Sequence, residues 1–200
     1  MVIVAAMRLQ RWVPICRAFN VIVPAIIAGE TQFFDDHEGQ RVYVDLRAAP
    51  TAGRHRFTVR SSAAAATAVP DPVANGEFTL WQASGPEFLK TRDLLHPELS
   101  ARVDAGEQEA VTYLRLAADP DTILFATADA GAILATVAFG FSACPVSLEA
   151  VLKSCGQKVA LSEEFCDSHV KECVRLGQQR VVTGRALAPP AIAKARKKRP

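Results

Sequence analysis

The chain of 200 residues is short of acids at both ends. None of the first 29 residues is acidic, and none follows Glu172. Its 11 glycines are widely spaced: the closest pair, Gly177 and Gly184, stands seven apart. That excludes a glycine-rich phosphate loop, which needs closely spaced glycines so that backbone amides can cradle the ligand. The five cysteines (Cys16, Cys144, Cys155, Cys166 and Cys173) are scattered and odd in number. Together with an apolar start (residues 2–7) that is short and lacks a basic lead, they point to reduced thiols in a cytoplasmic protein. No Ser/His/Asp or Cys/His nucleophile set has a supporting motif. His37, His55 and His96 sit in polar, loop-like contexts and are expected to face solvent. Residues 130–148 carry no charge, but they are rich in Ala, Ser and Gly and are broken by Gly140 and Pro145. A helix–strand–helix passage is therefore expected there, not a membrane span.

The formal net charge of +2 conceals a division. Eight of the 23 cations follow Glu172, so residues 1–172 carry 15 cations against 21 acids, or −6, and the end carries +8. The cluster at 194–199 has no interleaved aromatics. It reads as a solvated, disordered tail over 187–200, or as a salt-sensitive, sequence-blind attraction for phosphate backbones.

Length and periodicity suit one α/β domain. A short helix is expected over 9–19 and a buried strand over 21–23. Pro24 then opens a helix at the position where a missing N–H costs nothing. On it Ile26, Ile27, Glu30, Phe33 and Phe34 share one face, which puts Glu30 on the apolar stripe. Over 41–81 the pattern changes to period two (Val42/Val44/Leu46, Phe57/Val59, Phe78/Leu80), with turn signals at 70–72 and 75–76. This reads as an inserted β-hairpin region with a mobile loop. Further helices are expected over 86–95, from 105, and over 131–139, 148–155 and 162–176, with strands at 122–126 and 141–144. Strand–helix alternation argues for a mostly parallel sheet. The expected domain limits are 1–155, with a helical extension over 156–186.

Three carboxylates stand out. Glu30 and Glu107 fall on inward helix stripes, where a carboxylate is costly unless it is paired, hydrogen-bonded or metal-bound. Asp129 lies just beyond a strand's C-terminal end, the usual ligand edge of open α/β sheets. Converging, they would form an oxygen-rich site for Mg²⁺ or Mn²⁺. Each also has a local reading. Glu107 completes a capping box with Asp104, Glu30 is a surface residue at a helix edge, and Asp129 caps the next helix. Cys155, Cys166, His169 and Cys173 suggest zinc, but the spacing of 3 and 7 on one helix is that of a buried face. About 10 Å separates residues two turns apart, too far for one tetrahedral ion.

Three segments, in order over residues 8–150, resemble the PIN-like domain family. Residues 21–30 (VIVPAIIAGE) resemble its strand–Pro–x–x–Val–x–x–Glu element. Residues 104–110 (DAGEQEA) resemble its Gly-Glu-x-x-Ala helix start. Thr127-Ala128-Asp129, with a helix closing on Gly140-Phe141, resembles its Thr-Asp-Asp element. The resemblance implies a three-layer α/β/α fold with a β-hairpin-like insertion. It implies descent from metal-dependent ribonucleases, often the toxin half of a toxin–antitoxin pair, with RNA, an antitoxin protein and a second copy as partners. Glu30 and Glu107 match metal-site acids of the family, and Asp129 matches the neighbouring position of its acid pair. The family's opening strand with a catalytic Asp has no counterpart, and Ala128 stands where the first acid of the pair is usual. Asp104 and Glu109 are the nearby substitutes. Either a strand bearing Asp is encoded upstream, or the domain is a degenerate one that binds nucleic acid or protein without cleaving. Residues 2–6 could replace the strand but supply no acid.

Overall fold

The structure is a computed structural model, and it describes residues 2–9, 11–30, 33–35, 41–44, 55–57, 59–61 and 76–188. The basic cluster at 194–199, His37 and the loop over 62–75 lie outside the described residues.

The chain opens with α1 (Val2–Arg8) and α2 (Trp12–Ala18), followed by β1 (Ile22–Pro24) and α3 (Ala25–Glu30). Short strands β2 (Phe33–Asp35), β3 (Arg41–Val44), β4 (His55–Phe57) and β5 (Val59–Ser61) come next, then β6 (Gly76–Trp81). Helices α4 (Gly85–Leu94), α5 (Pro97–Ser100) and α6 (Ala105–Leu116) lead to β7 (Phe125–Ala126) and α7 (Ala130–Ala138). The last elements are β8 (Pro145–Val146), α8 (Leu148–Ser154) and α9 (Asp167–Val182).

The fold is mixed α/β. Among the described residues, β1 pairs parallel with β6 (Ile22 opposite Thr79) and β7 parallel with β8 (Phe125 opposite Pro145). The other pairings, β2–β3, β3–β5 and β4–β6, are antiparallel. Phe78 and Leu80, which alternate like part of the insertion, lie on β6 and so belong with β1. The two parallel pairs are separate sheets rather than one continuous layer.

Local chemistry explains several boundaries. Pro14 sits in the first turn of α2, where it interrupts no hydrogen bond. Ser84 caps α4 through Glu87 N–H, and Ser147 caps α8 through Ala150 N–H at 2.9 Å. The helix expected to run on to Phe34 stops at Glu30, and Phe33 and Phe34 pair with β3 instead. Their placement was decided by sheet pairing, which a helical period cannot foresee.

The core has three parts. Trp12, Ile15, Val23, Phe78, Leu148 and Leu152 pack around β1 and β6. Leu95, Leu99, Val111 and Leu134 join α4–α7, and Ile133, Val170 and Cys173 join α7 to α9. The stripe Val170–Cys173–Gly177 is the buried face of α9. A Cβ on Gly177 would stand 2.8 Å from Val137 Cβ, so glycine allows α7 and α9 to cross this closely. Among the described residues no helix is long and apolar enough to cross a membrane. The uncharged stretch after Asp129 folds as α7, a bend and β8.

Candidate acidic edge at the strand ends

Residues that follow β1 and β7 come to the N-terminal turn of α6. A Cβ at Gly106 would lie 2.6 Å from Ile27 Cγ1 and 3.2 Å from Glu30 Oε2. Glycine therefore admits α3 and the Glu30 carboxylate against the first turn of α6, where exposed amides favour negative charge. Glu30 itself is exposed. The expected place on an inward apolar stripe is corrected: α3 ends at this residue, and its side chain lies at the surface beside the first turn of α6.

Glu107 is half-buried. Burial is the main cause that raises its carboxyl affinity for protons, a hydrogen bond from its own backbone amide opposes this, and the charges of Asp129 and Asp104 raise it by smaller amounts. Asp104 occupies the N-cap position, but its side chain makes no capping bond, so the expected capping box does not form. Asp129 caps α7: its Oδ1 accepts from Ala132 N–H at 2.6 Å, and its own N–H donates to Thr127 Oγ1 at 3.1 Å. Glu107 thus lies in the field of Asp129, and the Glu30 carboxylate lies beside Gly106, the residue before Glu107. Among the described residues no three His, Cys, Asp or Glu side chains close around one point as metal ligands.

This arrangement fixes a pH dependence. The native state holds the Glu107 proton more tightly than the unfolded chain does, so ionisation costs stability. Stability attributable to this group is gained as pH falls through the raised value and levels off below the ordinary 4.5. Glu107→Gln should melt at or above the parent at pH 7, with the difference closing as pH is lowered to 4. Melting curves of both proteins across that range test this. A difference that does not change with pH would show that Glu107 is not perturbed.

Two neighbouring residues carry structure that their sequence context did not announce. Glu109 is 2% exposed, and its carboxylate accepts from Ile26 N–H at 2.8 Å and from Ala83 N–H at 2.9 Å. It ties the residues after β1 to those after β6 and is committed to the scaffold, not free to substitute at the edge. His169, in the first turn of α9, bonds through Nε2 to the Ala128 carbonyl at 3.1 Å and lies 3.7 Å from Cys173 Sγ. It pins α9 over the end of β7. His96, expected at the surface, is half-buried and accepts from Glu98 N–H at the start of α5. All five thiols are pushed up by burial, Cys16 to about 12, so none is poised as a thiolate nucleophile.

A cavity of about 680 Å³ is lined by residues 21–24 of the β1 segment and 122–127 of the β7 segment and reaches Glu107. Comparison of the chain with protein-family models, with curated proteins and with solved structures found no match.

Proposed function

We propose that this chain is a PIN-like domain acting on RNA, a Mg²⁺- or Mn²⁺-dependent ribonuclease of the toxin–antitoxin type with a reduced acidic site. The observation that carries the reading is Glu107: a half-buried carboxylate whose proton affinity is raised chiefly by burial and to a lesser degree by Asp129 and Asp104, in a cavity lined also by residues of β1 and β7. Such a group gains most from a nearby cation. Glu107 and Asp129 supply anionic oxygens, with Glu30 across Gly106. The donor set fits Mg²⁺, which is commonly held by one or two carboxylates and keeps several waters. When bound, the ion supplies charge neutralisation and an activated water for phosphodiester hydrolysis. The residues' own work is then distinct. Glu107 and Asp129 would hold the ion, Asp129 keeps its orientation through the cap on Ala132, and Glu30 flanks the edge from the solvent side.

A second reading, a non-cleaving module that binds RNA or a protein partner, is favoured by Ala128 and by the commitment of Asp129 Oδ1 to Ala132. Manganese titration separates the two. The ribonuclease reading expects Mn²⁺ to raise the melting temperature of the parent more than that of Glu107→Gln, and to support RNA cleavage that this substitution abolishes. No metal-dependent shift and no Glu107-dependent cleavage would leave only the binding module.

A further inference from the structure

The cavity lined by residues of β1 and β7 has the features of an empty strand position. Thr79 N–H donates to Val21 O on the β6 side. Backbone groups alternate along a strand, so the Ile22 N–H and C=O turn the other way, toward the cavity. In β7, Phe125 N–H and Thr127 N–H donate to Cys144 O and Val146 O of the β8 side, so the Ala126 N–H and C=O turn away from β8, and Ala126 lines the same cavity as Ile22. Among the described residues β1 has a strand neighbour only in β6, and β7 only in β8. Both strands run toward the acidic edge, since the turn of α6 that meets Ile27 and Glu30 also meets Asp129. Two parallel strand edges therefore face one apolar slot. A small apolar ligand could fill its volume but would leave both rows of backbone groups unpaired, and unpaired edges are templates for another strand.

We propose that residues 2–6 of this chain exchange between α1 and a central parallel strand that enters this slot and joins the two sheets into one. The segment already borders the cavity: Val2, Ile3 and Ala6 line it. It is uncharged, and it begins with Val-Ile-Val, β-branched residues that suit a strand buried on both faces better than a helix. The seven-residue α1 has no acid in its first turn, and helices this short are marginal without tertiary support. The connection also has the required form. From residue 6 to Ile22 the chain passes through α2, which packs on β6. A strand at 2–6, α2 and β1 would make a strand–helix–strand unit, the usual way to join adjacent parallel strands. A strand entered in this direction delivers Met7 and Arg8 to the edge that holds Glu107 and Asp129. The inference does not rest on the nuclease reading, and its test uses neither metal nor RNA.

Two proline substitutions in the full chain provide the test. Val2→Pro is compatible with both forms, because proline is accepted at the first position of a helix and of a strand. Ile3→Pro lets a helix begin one residue later but removes an N–H from a central strand. If the strand forms, Ile3→Pro lowers the melting temperature by about 6–10 °C relative to Val2→Pro. Hydrogen exchange at the Ile22 and Ala126 amides should then speed up by about 100-fold in Ile3→Pro alone. Equal melting of the two variants, with equal exchange at both amides, would overturn the proposal. So would protection at Ile22 and Ala126 that survives Ile3→Pro and rises with protein concentration, because a second copy would then fill the slot.

Discussion

Glu109→Ala should be among the most damaging single substitutions in this protein. Its carboxylate is fully inside and accepts from two backbone amides that belong to different strand–helix junctions. Ile26 N–H is in the first turn of α3, one of the amides a helix cannot satisfy internally. Ala83 N–H follows β6. Truncation leaves both donors without an acceptor at about 1–3 kcal/mol each and opens a cavity beside them, for a total of roughly 3–5 kcal/mol. At about 2–4 °C per kcal/mol for a chain of this size, melting should fall by about 6–20 °C. Glu109→Gln sharpens the test. The isostere keeps one oxygen but turns an NH₂ group toward an N–H donor, so it should recover little of the loss. Urea denaturation of parent, Gln and Ala forms decides the matter: a Gln variant as stable as the parent would mean that the two-amide clasp does not hold.

The second large effect is expected at Gly131, and there the sign is the informative part. Gly131 is the second residue of α7, and alanine would favour the helix over glycine by about 1 kcal/mol. Yet a Cβ at this position would stand 2.2 Å from the Arg102 carbonyl oxygen and 2.9 Å from its carbon. Those are backbone atoms, and they cannot swing aside as a side chain can. The helix behind is buried from Gly131 to Ala138, so α7 cannot retreat without disturbing the core. Overpacking of this kind costs about 1–3 kcal/mol and more where backbone must move, which outweighs propensity. Gly131→Ala should therefore destabilise by at least about 2 kcal/mol. Gly85→Ala, at the first residue of α4 with open space around the added atom, should be neutral or slightly stabilising. Denaturation midpoints of the pair provide the comparison. A Gly131→Ala protein as stable as the Gly85→Ala one would show that the loop carrying Arg102 yields easily.

Much of the element order was legible locally. Asp129 announced a helix start because a side-chain oxygen can reach an amide three residues on, whatever the rest of the chain does; Asp104, read the same way, makes no such bond. The spacing of 3 and 7 put Cys166, His169 and Cys173 on one buried helix face; of these only Cys173 is buried, while Cys166 is the N-cap of α9 and, like His169, half-buried. Where the reading failed, a long-range partner had intervened. Phe33 and Phe34 continued a helical period but were captured by β3. Strand Phe125–Ala126 is shorter than its apolar run, because residues 120–122 close into a turn after Pro120. Glu109 was read as a nearby substitute for the missing acid. It is buried because α3, α4 and α7 all pack on that helix, leaving few faces for water.

The acidic edge divides in the same way. By itself the amino-acid sequence determined which residues could carry charge there: Glu30, Glu107 and Asp129, the alanine at 128, and the absence of any acid before Glu30. It also determined the apolar, β-branched character of residues 2–6. Only the tertiary structure decided that Glu107 lies within the field of Asp129, that Glu30 leaves the core for the surface, and that Glu109 is spent on two amides. Tertiary packing alone also put residues of β1 and β7 around one cavity, with Val2, Ile3 and Ala6 in its lining. The reason is physical. Capping and periodicity act over a few residues, whereas the ionisation and burial of a carboxylate depend on groups that the fold brings in from 20 to 80 positions away.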